Sequence, residues 1–360
     1  MLIALAVGVV LVSGGDGDSP AVLGPRAASP TATTSPPSTP SLTPTATGSP
    51  HPSATSEKTP ASPAPSAPAA TPAPKPAAAP APKPAPAPTP TPPPAGGSVA
   101  VLVGAGDIAS SGSGDEATAK LLDVIPGTVF TAGDNAYEDG TDSQFTNYYK
   151  PTWGRHKSRT RPAAGNHDYN SAGATGYYNY FGAAAGVAGK GYYSYNLGAW
   201  HIVVLNSNCS PVGGCNAGSV QEQWLRADLA AHPTACTAAI WHHPLFSSGK
   251  HGNNSSVKPL FKALYDYHAD VVLNGHDHTY ERFAPQDSNG VATAQGIREF
   301  VVGMGGRSHY DWGTVRPNSE VRNNTAFGVI KLTLHSGSYD WKFIPEAGKA
   351  FTDSGSQACH

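Results

Sequence analysis

Two histidines spaced i and i+2, His276 and His278, close the stretch Asn274-Gly275-His276-Asp277-His278. Neutral imidazoles presented together are ready ligands for a transition metal. Four further polar groups stand upstream in order: Gly106-Asp107, Gly133-Asp134-Asn135-Ala136-Tyr137, Gly165-Asn166-His167-Asp168 and Trp241-His242-His243-Pro244. Each follows a short apolar run, so five polar punctuations at five predicted strand ends describe one converging site. Thirteen of the fourteen histidines lie from residue 99 onward, which favours metal or acid–base chemistry over plain packing.

The elements that must position these groups read as a strand-rich α/β domain. Val99–Ala105 is a buried strand, Asp115-Glu116 opens a helix through Leu122 that Pro126 ends, and Thr128–Thr131 is the next strand. Strand, helix and strand in about 35 residues form a βαβ unit, which sets Asp107 and Asp134 at neighbouring carboxyl ends of parallel strands. Gln144–Tyr149 reads as a short helix and Arg161–Ala164 as a short strand. Tyr192–Leu197 and His201–Leu205 pair antiparallel around Gly198-Ala199. Apolar residues at Val220, Trp224, Leu225 and Leu229 predict one amphipathic helix, and Leu260, Phe261, Leu264 and Tyr265 another. Ala238–Trp241 and Asp270–Leu273 read as strands, the latter placing His276 and His278 on one side of an extended chain. Ile297–Val302, Phe327–Leu334 and Tyr339–Ile344 are expected as consecutive strands of a second sheet packed on the first.

Composition divides the 360 residues into three stretches. Residues 1–12 are nearly all apolar, too short to span a bilayer, and read as an export signal or atypical anchor. Residues 13–98 hold 25 of the 35 prolines among Ala, Ser and Thr, a composition that cannot offset its ordering entropy and predicts a disordered spacer. Residues 99–360 suffice for one sizeable core. The expected location is therefore secreted or at the cell surface, with the N-terminus a candidate membrane tether. Four cysteines fit export. A Cys209–Cys215 bridge is expected across a Pro/Gly loop, whereas the pairing of Cys236 with Cys359 stays open. A net charge of −2 with no dense Lys/Arg cluster gives no nucleic-acid-binding footprint.

Gly106-Asp107, Gly133-Asp134-x-x-Tyr137, Gly165-Asn166-His167-Asp168, His242 and Gly275-His276-x-His278 together resemble the five blocks of the calcineurin-like metallophosphoesterases, and more narrowly the purple acid phosphatase branch. The resemblance implies two mainly mixed β-sheets packed as a sandwich flanked by helices, the αββα arrangement. It also implies a dinuclear metal centre. Asp134 would bridge two cations, with Asp107, Tyr137 and His278 completing one site and Asn166, His242 and His276 the other. Most of the superfamily carries Asp-x-His in the first block, but Ala109 stands at that third position here, and Tyr137 is spaced to replace the missing imidazole. An anionic phenolate suits a hard trivalent ion, so Fe(III) is expected beside Tyr137 and Zn, Mn or Fe(II) in the other position.

The resemblance further implies hydrolysis of small phosphomonoesters by metal-bound hydroxide. His167 resembles a histidine that contacts substrate, with Asp168 expected to orient it, and His251 matches one that protonates or hydrogen-bonds the phosphoester. His243 is expected to orient or pack, Tyr280-Glu281-Arg282 to support the ligands from behind, and Gly303–Gly306 to allow close packing. Two alternatives stand beside this reading: a phosphodiesterase or nucleotidase on the same site, and a surface protein that binds without cleaving. The binding protein would be betrayed by lost ligands, and none of the seven is missing. Oligomeric state is not legible.

Overall fold

A computed structural model describes Val99–His360; the expected export segment and Pro-rich spacer lie outside the described residues. The domain opens with β1 (Ala100–Ala105), α1 (Gly114–Val124) and β2 (Thr128–Ala132), the expected βαβ unit with β1 and β2 parallel. Helix α1 stops where Ile125 turns extended ahead of Pro126, as the steric demand of proline on its predecessor requires. A helical stretch beginning with α2 (Asp142–Gln144) leads to β3 (Thr160–Ala163), parallel to β2. Then come α3 (Thr175–Phe181), the antiparallel hairpin β4 (Tyr193–Leu197) and β5 (Trp200–Val204), and α4 (Val220–Ala231). β6 (Cys236–Ile240), α5 (Lys258–Asp266) and β7 (Val271–Asn274) follow. The remainder is β8 (Tyr280–Phe283), β9 (Arg298–Val302), β10 (Ser319–Asn323), β11 (Gly328–Leu334), β12 (Ser338–Pro345) and β13 (Ser354–Ala358).

These strands form two mixed sheets. The first runs β13-β12-β11-β1-β2-β3 and the second β10-β8-β9-β7-β6-β5-β4. Their inner faces meet through Leu102, Phe130, Ile202, Ile240, Leu273, Phe300 and Leu332, all fully buried. Outside the first sheet, Ala119 and Leu122 of α1 pack on Val103 and Val129. Outside the second, Leu260, Phe261 and Leu264 of α5 pack with Leu225 of α4 on Val203 and Val272. Burial of each such large side chain contributes roughly 1.5–3 kcal/mol. The result is helices, sheet, sheet, helices.

One topological expectation is overturned. The strands near 297–302, 327–334 and 339–344 do not form a sheet of their own: β9 pairs parallel with β7 in the second sheet, while β11 and β12 extend the first beyond β1. The burial patterns explain the split. Every residue of β9 is buried, as in a central strand covered on both faces, whereas β12 alternates buried and exposed. Tyr280-Glu281-Arg282 is itself strand β8, antiparallel to β9, and the polar edge strands β10 and β13 carry too few apolar residues to signal themselves in sequence.

Both disulfides form, Cys209–Cys215 and Cys236–Cys359. The second joins the start of β6 to the chain just after β13, fastening an edge of one sheet to the middle of the other. Among the described residues no helix is long and apolar enough to cross a membrane.

Candidate metal centre

The carboxyl ends of β1, β2 and β3 deliver Asp107, Asp134 and Asn166 from one sheet, and those of β6 and β7 deliver His242, His276 and His278 from the other. Three of these residues leave their strands in the left-handed region: Asp107 at φ 61°, Asp134 at φ 51° and His276 at φ 72°. Side chains other than glycine rarely hold that conformation, and it costs on the order of 1–3 kcal/mol per residue. It also replaces the extended alternation expected for His276 and His278. The pair faces the site through a turn at His276, not through the pleat of a strand. Glycines make room: a Cβ on Gly165 would stand 2.1 Å from Asp134 Oδ1, and one on Gly133 2.5 Å from His242 Nδ1.

All seven expected donors converge in two adjoining groups. Tyr137 Oη lies 2.8 Å from Asp107 Oδ1, 3.0 Å from Asp134 Oδ2 and 3.1 Å from His278 Nε2. His242 Nε2 lies 2.9 Å from Asn166 Oδ1, 3.2 Å from His276 Nδ1 and 3.3 Å from Asp134 Oδ2. Asp134 Oδ2 thus belongs to both groups. Two of the three expected ligand rings are aimed by the far nitrogen: His242 Nδ1 by the Ala132 carbonyl at 2.8 Å, and His278 Nδ1 by Ser308 Oγ at 2.7 Å. That arrangement is what metal-binding imidazoles use to fix tautomer and orientation.

Charge in this pocket is strongly biased. Asp107 and Asp134 are buried, and among the described residues their ion pairs are to histidines, never to Lys or Arg. Burial opposes ionisation of Asp134, yet the charge and hydrogen bond of His242, with help from His167, hold its carboxyl well below the usual range. Burial likewise works against protonation of His242, but Asp134 and Asp107 raise it to about 9. Burial and the neighbouring His242, His243 and His251 push His276 down, so its ring is a neutral donor. Burial and the carboxylates of Asp107 and Asp134 drive the Tyr137 phenol well above its ordinary value. Only a strong cation would make it an anionic ligand.

The flanking residues divide. The His167 backbone N–H donates to Asp134 Oδ1 at 2.8 Å, and its ring packs on Tyr137 with centroids 4.4 Å apart. Asp168, however, does not orient that ring. Its buried carboxylate accepts from Gly165 N and Asn135 Nδ2, both at 2.9 Å, and so ties the β2 and β3 loops together. Burial and the charge of Asp134 raise it to about 7. The His167 ring is held instead by the Glu138 carbonyl, 2.5 Å from Nδ1. His251 is exposed and packs on His276 at 4.3 Å between ring centroids. His243 Nδ1 pairs with Ser207 Oγ at 2.8 Å, and burial with the nearby His242 lowers it to about 3. Its donor atom nonetheless lies within 4.8 Å of those of His242 and His276.

Sequence reasoning missed the segment after Gly303–Gly306. Those glycines do pack closely, Gly305 against the Gly106 carbonyl, and they carry the following residues over the site. Tyr310 stacks on His278 at 3.8 Å and 8°, and the Arg307 guanidinium lies 5.2 Å from the centre of the Tyr137 ring while pairing with Glu138. The available signal was the glycine run itself, read only for packing.

Comparison with known proteins agrees with this geometry. The family model described as calcineurin-like phosphoesterase matches residues 96–280. Purple acid phosphatase 15 of Arabidopsis thaliana is 35% identical over 97 residues, 25% of this chain and 18% of that protein. Purple acid phosphatase 1 of Ipomoea batatas is 27% identical over 176 residues, 43% of this chain and 36% of that protein. The chain thus spans well under half the length of these curated relatives. Among solved structures, a purple acid phosphatase from yellow lupin (Lupinus luteus) seeds aligns with a TM-score of 0.59 at 20% identity, over 73% of this chain and 54% of that one. GAP50, described as the anchor in the inner membrane complex of Plasmodium, aligns with a TM-score of 0.57 at 16% identity, over 73% and 89%. With just over half of its length under the family model and purple acid phosphatases among its relatives, this chain belongs to the calcineurin-like phosphoesterases.

Proposed function

We propose that the protein is an exported, metal-dependent hydrolase of small phosphomonoesters. Asp107, Asp134, Tyr137 and His278 would hold one cation, and Asp134, Asn166, His242 and His276 a second. The observation that carries this reading is the position of Asp134 Oδ2, within 3.3 Å of donors from both groups. Two buried carboxylates whose ion pairs among the described residues are to imidazoles, together with a phenol and an amide oxygen, form a donor set that suits two cations. The phenol in one group and its absence from the other favour Fe(III) beside Tyr137 and Zn, Mn or Fe(II) beside His242. When bound, such a pair draws charge from a phosphoryl oxygen and acidifies a water at mild pH.

The chain's own groups do the rest. Asn166 and His242 orient each other, and the Ala132 carbonyl keeps His242 Nε2 turned inward. His167, held at Nδ1 by the Glu138 carbonyl, keeps Nε2 at the mouth of the site, 4.0 Å from Asp134 Oδ2, where it can donate to a phosphoryl oxygen. His251, exposed beside His276, is the group assigned to deliver a proton to the departing alkoxide. Two disulfides and the apolar start of the chain support export.

Asp134→Ala tests the assignment. Turnover of a phosphomonoester and bound metal should both be lost while far-UV circular dichroism keeps its native form. Retained hydrolysis would sink the two-cation reading, and full metal content without hydrolysis in the wild type would favour a binding protein.

A further inference from the structure

A second cluster of metal-binding side chains lies at the opposite end of the same sheet. His201 is the second residue of β5, so it sits at the amino end of a strand whose carboxyl end leads toward the site. Asp228 lies in the last turn of α4 and His232 caps that helix, four residues on and therefore on the same face. His201 Nε2 is 2.8 Å from Asp228 Oδ2, and His232 Nδ1 is 3.4 Å from Asp228 Oδ1. The two rings stack with centroids 4.5 Å apart. One donor atom from each of the three residues falls within 4.8 Å of the others.

The surrounding hydrogen bonds prepare the donors. His201 Nδ1 pairs with the Asn196 side-chain amide at 2.9 Å, and His232 Nδ1 donates to the Asp228 carbonyl at 2.8 Å. With Nδ1 so engaged, Nε2 is the ring nitrogen that each histidine has left for an ion. Ser194 Oγ donates to Asp228 Oδ1 at 2.7 Å. Outer contacts of this kind orient ligating imidazoles and carboxylates around an ion. Between the buried His201 Nε2 and the carboxylate oxygen 2.8 Å away there must stand either a proton or a metal ion. His201 and Asp228 are 1% and 8% exposed at the side chain, so both are fixed, whereas His232 at 40% is free to adjust. A cavity of about 490 Å³ lined by His232, Thr234, Thr237, Asp266 and His268 opens beside it.

We propose that His201 Nε2, Asp228 and the His232 imidazole form a structural zinc site separate from the proposed dinuclear centre. Two imidazoles and one carboxylate are a donor set that zinc favours, and the cavity supplies room for a water as fourth ligand. The ion would fasten the edge hairpin β4–β5 to the end of α4.

The test is zinc content and thermal unfolding of the full chain, compared between wild type and His232→Gln. Because His232 is exposed at the helix end, this variant folds. After equilibration with micromolar zinc and dialysis, the wild type should keep one more equivalent than His232→Gln, and zinc should raise its melting temperature by more than it raises the variant's. Affinity for that equivalent should fall at least about tenfold. Asp228→Asn, which keeps the shape of the side chain, should behave like His232→Gln. Phosphoester hydrolysis should be the same in wild type and His232→Gln. The comparison stands whether or not the dinuclear reading holds, since that centre contributes equally to both proteins. Equal zinc content and equal melting shifts would overturn the proposal and leave the cluster a proton-bridged pair.

Discussion

The Asp277 carboxylate accepts the backbone N–H of His251 at 2.8 Å. Asp277 stands between His276 and His278, the two histidines of the loop after β7 proposed as ligands, and is fully buried. Its other oxygen accepts Ser247 Oγ–H at 2.5 Å, and the chain passes so close above it that a Cβ on Gly249 would lie 2.3 Å from Asp277 Cγ. The loop carrying His251 is thereby pinned to the segment carrying His276 and His278. Asp277→Val leaves the buried Ser247 hydroxyl without its acceptor, a loss of about 1–3 kcal/mol, and frees the His251 N–H. We expect kcat to fall ten- to a hundredfold, about the range for groups that orient ligands, with metal content unchanged. Asp277→Asn, which keeps an acceptor oxygen, should lose less. Metal analysis alongside steady-state kinetics separates this from loss of the centre; unchanged kcat in Asp277→Val would refute it.

Tyr137 gives a spectroscopic handle. Its phenol reaches Asp107, Asp134 and His278 within 3.1 Å, in surroundings that by themselves keep it protonated. Iron-loaded protein should show a visible tyrosinate-to-metal absorption, and Tyr137→Phe should abolish it. Two bound metals without iron or colour would move the assignment to a Mn or Zn pair, and a band that survives in Tyr137→Phe would remove Tyr137 from the ligand set.

Asp270 should impose a pH dependence on stability away from the active site. Burial raises its carboxyl from 3.8 to about 7, against the backbone hydrogen bonds of Thr237 and His360 that favour ionisation. A folded value above the unfolded one means that the native chain keeps a proton which the unfolded chain has released. This contribution is therefore fully present below about pH 4 and lost as pH rises through 7, up to about 4 kcal/mol in all. Urea unfolding of wild type at pH 5 and pH 8 should show the decline, and Asp270→Asn should flatten it. An identical difference in the variant would assign the dependence to other groups.

Much of this was legible in the sequence because each of the five polar groups that hold the donors follows a short run of β-branched or apolar residues. Such runs identify strands, and the polar residue that ends each one identifies where chemistry gathers. Asp107 after Val101–Val103 and His276 after Val271–Leu273 are two cases. What the pattern does not carry is pairing. β9 is the next strand after β8 and pairs with it, but it also lies beside β7, and nothing local to Arg298–Val302 distinguishes a central strand of one sheet from the first strand of another. Side-chain direction was equally hidden. Asp168 follows His167 in sequence but turns away from it to reach Asn135, because burial rewards the carboxylate that finds three N–H donors. Tyr310 stacks on His278 from a loop whose polar, glycine-rich sequence has no period to read.

The donors divide between the sheets, four from the first and three from the second, and the hydrogen bond from His276 N to Asp107 Oδ2 joins residues 169 positions apart. During synthesis the first four emerge early and must wait. A nascent chain that has not yet released His242, His276 and His278 carries the two carboxylates without the imidazoles that meet them, so the full donor set can assemble only once the two sheets have closed on each other. Metal acquisition would then be a late event of maturation, and a chain arrested before His278 would stay an apoprotein however much metal surrounds it.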